Sequence, residues 1–126
     1  MTAGVLALLI CLAGGVGAAL RLVLDGLIRD RVRSTYPVAT TIINITGSLL
    51  LGLLTGLASQ QLLPHQWQLI TGTGLLGGYT TFSTASFETL GLLEDRRYAA
   101  AALNAFGLLI TGTGAAAVGL ITGLAL

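Results

Sequence analysis

Gly74-Leu75-Leu76-Gly77-Gly78-Tyr79-Thr80-Thr81-Phe82-Ser83-Thr84-Ala85-Ser86-Phe87-Glu88 lies inside an apolar segment long enough to cross a membrane, yet it carries a glycine pair, a run of hydroxyls and an acid. Lipid tolerates non-helical backbone only where protein buries it or where it lines a wet cavity. A polar, interrupted segment at mid-membrane depth therefore reads as an ion or solute site. Gly77-Gly78 lets the backbone leave helical geometry at modest cost, and Thr80 and Thr81 are able to bond backbone instead of continuing a helix. Unwinding frees carbonyl oxygens of the kind a desolvated Na⁺ needs. It also creates a new helix N-terminus near Phe82, whose free N–H groups and positive dipole end favour an anion. If helix resumes there, Thr81, Thr84, Ala85 and Glu88 share one face, with Phe82, Ala85 and Ser86 as an overlapping stripe. Hydroxyls beside the positive edge of a phenyl ring suit a small anion. The plainer alternative is a Ser/Thr-rich kink that only packs, and Glu88 speaks against it.

The surrounding chain has the composition this reading needs. Of 126 residues, 54% are hydrophobic and 9% charged, against about 25% charged in a soluble domain. At about 20 residues per crossing, four spans with short connections account for the whole chain as one membrane domain, 1–126. The expected spans are about 3–24, 37–58, 67–93 and 98–124, the third broken near its middle. The first lacks the charged start of a signal peptide and reads as a permanent span. The fold class is thus all-α membrane protein with four transmembrane helices.

Within the first span, Gly14-Gly15-Val16-Gly17-Ala18-Ala19-Leu20-Arg21 is a run of small residues ending in a charge. Small residues let helices approach closely. Arg21 either snorkels to the headgroups or lines a vestibule that attracts anions. Pro37 is placed to open the second span, where a missing N–H does no harm. That span contains Asn44, whose amide needs partners inside hydrocarbon, and a Gly52/Gly56 contact face. Asn44 is read as an interhelical hydrogen bond or as part of a conduction path. Cys11, the single cysteine, reads as an inert packing residue, and His65 as an interfacial one without a second ligand. Trp67, Tyr36 and Tyr98 suit aromatic belts. The echo of Leu69–Gly74 in Leu109–Gly114 has unmatched flanks and reads as coincidence.

Charge placement sets an orientation. All six basic residues are arginines, and all lie in or beside the first and third loops. The positive-inside rule puts those loops in the cytoplasm and both termini outside, in a multi-pass protein of the cell membrane. Nothing in the pattern calls for nucleic acid, and an isolated histidine and cysteine give no catalytic constellation.

Three motifs now carry a resemblance. Gly77 to Glu88 closely resembles the third-span signature of the Fluc (CrcB) fluoride channels. Gly14 to Arg21 and Asn44-Ile45-Thr46-Gly47-Ser48 resemble their first- and second-span motifs, in the same order and over the whole chain. The resemblance implies a dimer of two antiparallel four-helix subunits. It implies a structural Na⁺ held by carbonyls matching Gly77 and Thr80, and fluoride pathways lined by residues matching Asn44, Phe82, Ser83, Thr84, Ser86 and Glu88, with Arg21 towards a vestibule. Transport would be passive, clearing fluoride after HF enters the cell and dissociates. Two departures stand out. Where the family has a second phenylalanine this chain has Ala85, and six arginines against none point to a single orientation. The second subunit is then another copy of this chain or, if one orientation is fixed, a separately encoded, oppositely oriented homologue. Competing readings are a non-conducting or partner-dependent subunit and a small proton-coupled drug exporter. The exporter needs an acid in the middle of the first span, and residues 3–20 contain none.

Overall fold

The chain enters helix at once, because the Thr2 hydroxyl accepts the free N–H of Val5 at 3.2 Å and caps the first turn. In the computed structural model, which describes residues 1–126, helix α1 then runs Ala3–Arg31. Helix α2 is Val38–Ser59. Helix α3 (65–79) is continuous from His65–Gln68 through a π-helical stretch Leu69–Leu76 to Gly77–Tyr79. Helix α4 is Phe82–Glu94 and helix α5 is Tyr98–Ala125, the latter with a π-helical stretch at Leu103–Gly107. No strand is present. Helices α1, α2 and α5 are each long and apolar enough to cross a membrane, and α3 and α4 follow one another between α2 and α5.

The first connection is shorter than expected. Residues 25–31, read from the sequence as loop, are helical, because Arg29 bonds Asp25 one turn back and no proline interrupts the run before Val32; Gly26 stays within the helix. With 29 residues, α1 is about 43 Å long and outreaches the roughly 30 Å hydrocarbon core. Pro37 stands one residue before α2 as its cap rather than inside its first turn. Helix α3 starts two residues before Trp67, just after Pro64.

Packing divides the bundle into two close pairs, α1 with α3 and α2 with α5. Both are glycine seams. A Cβ on Gly17 would overlap the Leu75 carbonyl, and one on Gly78 the Gly14 carbonyl. Likewise Gly52 rests on the Ala116 backbone, and Gly119 on that of Leu49. Without a hydrophobic drive inside lipid, such backbone contact is what holds helices together. The two copies of the Leu-Ile-Thr-Gly-Thr-Gly echo have different surroundings: Gly74 packs on Ile10 of α1, whereas Gly114 meets nothing.

Candidate functional site

The glycine pair is not where the helix opens. Gly77 and Gly78 lie within helical backbone, and Gly78 serves the contact with Gly14. The opening is one turn later, at Thr80 (φ −79°, ψ 159°) and Thr81 (φ −147°, ψ 122°). Thr80 ends α3 by donating both its N–H and its hydroxyl to the Leu76 carbonyl, each at 2.9 Å. Thr81 starts α4: its hydroxyl accepts the Thr84 N–H at 3.1 Å and donates to the Thr84 hydroxyl.

Asn44 braces this opening from α2. Its Nδ2 donates to the Thr81 carbonyl and its Oδ1 accepts the Thr81 N–H, both at 2.8 Å. The side chain thus satisfies an extended peptide unit as a neighbouring strand would. Two residues on, the Thr46 hydroxyl and the Tyr79 hydroxyl lie 2.9 Å apart. Gly47 leaves room for Tyr79 and the Thr80 methyl against α2. The Asn44-to-Gly47 motif therefore holds the chain on both sides of Thr80.

The residues singled out from the sequence fall into two spaces. An open groove of about 820 Å³ is bordered by Asn44, Gly77, Thr80, Thr81, Phe82 and Ser86, among others. Phe82, the first residue of α4, is 89% exposed on it. A second cavity of about 70 Å³ lies between α1, α2 and α4, lined by Arg21, Asp25, Thr40, Thr81 and Thr84. Thr81 borders both. Glu88 sits past the small cavity, where one carboxylate oxygen accepts the Thr40 hydroxyl and the other lies 3.2 Å from Arg29 Nη2. Ser83 borders neither space. Ala85 is buried, and its carbonyl accepts the Thr89 hydroxyl at 2.8 Å.

Several contributors escaped the sequence. Thr40 is 2% exposed and grips Glu88. Arg29 joins Glu88 to Asp25, bonding the latter at 2.9 Å. With the Arg29 side chain 51% exposed, these pairs contribute only about 0–1 kcal/mol to stability. Asn104 is 1% exposed inside the π-helical stretch of α5; its Nδ2 donates to the Thr89 hydroxyl at 2.8 Å, and its Oδ1 has no partner. The Arg21 Nε is likewise buried and unpartnered. An amide within an apolar run was the available signal for Asn104, the same one that marks Asn44.

No cluster of His, Cys, Asp and Glu that would hold a metal is present. The Thr80 carbonyl, however, accepts no hydrogen bond, and Thr80 and Gly77 both border the groove. Unwound backbone carbonyls of this kind suit a hard monovalent cation.

The family model for CrcB-like protein, Camphor Resistance (CrcB), matches residues 8–120. A relative from Leifsonia xyli subsp. xyli, described as fluoride-specific ion channel FluC 1, is 51% identical over 116 residues, covering 92% of this chain and 85% of its own. FluC 1 of Streptomyces avermitilis is 46% identical over 112 residues, 88% of this chain and 90% of its own. FluC of Oceanobacillus iheyensis is 43% identical over 113 residues, 89% and 86% respectively.

Proposed function

This chain belongs to the CrcB-like family, and we propose that it forms a passive fluoride-selective channel together with a second subunit of the same fold. The braced opening at Thr80-Thr81 carries the proposal. It ends in a fresh helix N-terminus at Phe82, whose unpaired N–H groups and dipole favour an anion, beside a phenyl ring able to offer its positive edge. It is not an enzyme.

The groove is the reason for a second subunit. Asn44, Thr80, Thr81, Ser86, Thr89 and Asn104 border it, and polar groups within hydrocarbon need cover. A subunit of like fold, running antiparallel, would cover them and bring two copies of the opening together. Gly77 and Thr80 of both subunits would then hold Na⁺, which supplies a fixed positive charge at the centre. The anion path runs from the Arg21 cavity, past Thr84 and Thr81, to Phe82 and Ser86. Thr81 belongs to both spaces and is the step between them. Because no energy source is coupled, fluoride moves down its gradient, outward when HF has entered and dissociated.

Fluoride efflux from liposomes holding the purified protein, followed with a fluoride electrode and compared with chloride, tests this. Rapid fluoride release with little chloride is expected. Phe82→Ile keeps the bulk and removes the ring edge, so efflux should fall about five- to tenfold, the equivalent of about 1–1.4 kcal/mol. Equal release of both anions would sink the selectivity, and unchanged flux in the variant would take Phe82 out of the path.

A further inference from the structure

We propose that Arg29 is the charge-balancing residue of the pathway's inner mouth, neutralising Glu88 so that fluoride passes a carboxylate without net repulsion; the inference rests on the channel reading above. A carboxylate beside an anion path poses a physical problem. The Glu88 side chain is only 16% exposed, and partial exclusion of water strengthens any repulsion between it and an approaching anion. Thr40 occupies one of its oxygens with a neutral hydrogen bond, which orients the group without cancelling its charge. Arg29 alone supplies the cancelling charge, 3.2 Å from the other oxygen.

The arrangement extends along two facing helices. Arg21, Asp25 and Arg29 lie four residues apart on α1 and share a face. Facing them, Thr84 and Glu88 lie four residues apart on α4, and Thr81 caps its start. The small cavity between them is lined by Arg21, Asp25, Thr81 and Thr84, with Thr40 reaching in from α2. Four charges thus border the mouth, Arg21 and Arg29 against Asp25 and Glu88, and they sum to zero. Removing Arg29 alone tips that balance to negative, which an entering anion would feel at once.

Stability does not account for the pair, because the Arg29 side chain is 51% exposed. Nor is Arg29 one of several interchangeable surface arginines: Arg31 and Arg33, just beyond it, make no ion pair. Its fork is used as a fork, with Nε on Asp25 and Nη2 on Glu88. A lysine supplies the charge but not two bonds in fixed directions.

The test is fluoride efflux from liposomes holding the assembled protein, at about 0.01 M and about 1 M inert salt, where Debye lengths are about 30 and 3 Å. Arg29→Gln should slow efflux about three- to tenfold at low salt through a lost unit charge near the path. At high salt the deficit should shrink to about twofold or less. The half-saturating fluoride concentration should rise while the maximal rate stays close to wild type. Arg29→Lys should keep most of the flux. Arg31→Gln, which removes the same charge two residues on, should match wild type. A deficit of equal size at both salt concentrations would mean that Arg29 acts only through folding, and no deficit would mean that Glu88 is not balanced by it; either overturns the inference. Absence of fluoride flux from wild type would instead sink the channel reading, and this inference with it.

Discussion

Asn44 shows how much one side chain does here. An amide in hydrocarbon demands partners, and the sequence announces that demand without saying who meets it. The structure answers with the N–H and carbonyl of a single residue, Thr81, so both hydrogen-bonding ends of the side chain serve the opened backbone. Asn44→Ala leaves the N–H and carbonyl of half-buried Thr81 unpaired, each costing at most about 1–3 kcal/mol. Its thermal unfolding midpoint in detergent should fall by several degrees, and fluoride efflux should fall with it; an unchanged midpoint would show that the brace is dispensable. The same chemical signal is present at Asn104, but its neighbours Ala99–Phe106 form a bland apolar run with no motif around it to mark the site. Thr40 was hidden for another reason. Its importance depends on Glu88, 48 residues away, and no local pattern reports such a partner.

At the scale of the helix, three crossings could be read directly, since length and apolar composition suffice for α1, α2 and α5. The interrupted segment was also readable, as was the resumption of helix at Phe82; what was not readable is that the glycine pair stays helical. Glycines suggested Gly77-Gly78; in the structure the two threonines after them carry the extended backbone. Physically, glycine permits departure from helix without requiring it, and Gly78 is fully engaged in close contact with Gly14. Thr81 has an outside partner, Asn44, for both its N–H and its carbonyl, so leaving the helix strands neither. Glycine at the other seam is equally committed. Gly52→Val would drive a side chain into the Ala116 backbone, and overpacking of this kind costs about 1–3 kcal/mol or more. Gly26, by contrast, meets nothing within 4 Å, and Gly26→Ala should be neutral or gain about 0.5–1 kcal/mol from helix propensity. Unfolding midpoints of the two variants in the same detergent check the contrast. A tolerated valine at Gly52 would contradict the α2–α5 seam.

For the whole molecule, the charge distribution in the sequence and the contacts in the structure agree on which loops share an end. Arg97, beside the third loop, donates to the Thr35 hydroxyl in the first at 2.9 Å, and Arg29 reaches Glu88 on α4. At the other end, Gln60 donates to the Leu124 carbonyl at 2.7 Å, in a region without arginine. Six arginines at one end and none at the other bias insertion strongly. The expected outcome is that tags on both termini are open to protease only from outside intact cells. If the proposed channel is an antiparallel pair, copies that all insert the same way cannot build it, and a fixed orientation would call for a homologous partner with the opposite bias. The two mouths of such a channel would also differ, since the partner need not repeat Ala85 or the Arg29–Glu88 pair. If instead about half of the molecules show cytoplasmic termini, the arginine bias does not govern insertion. Two copies of this chain would then be sufficient to close the groove around Phe82.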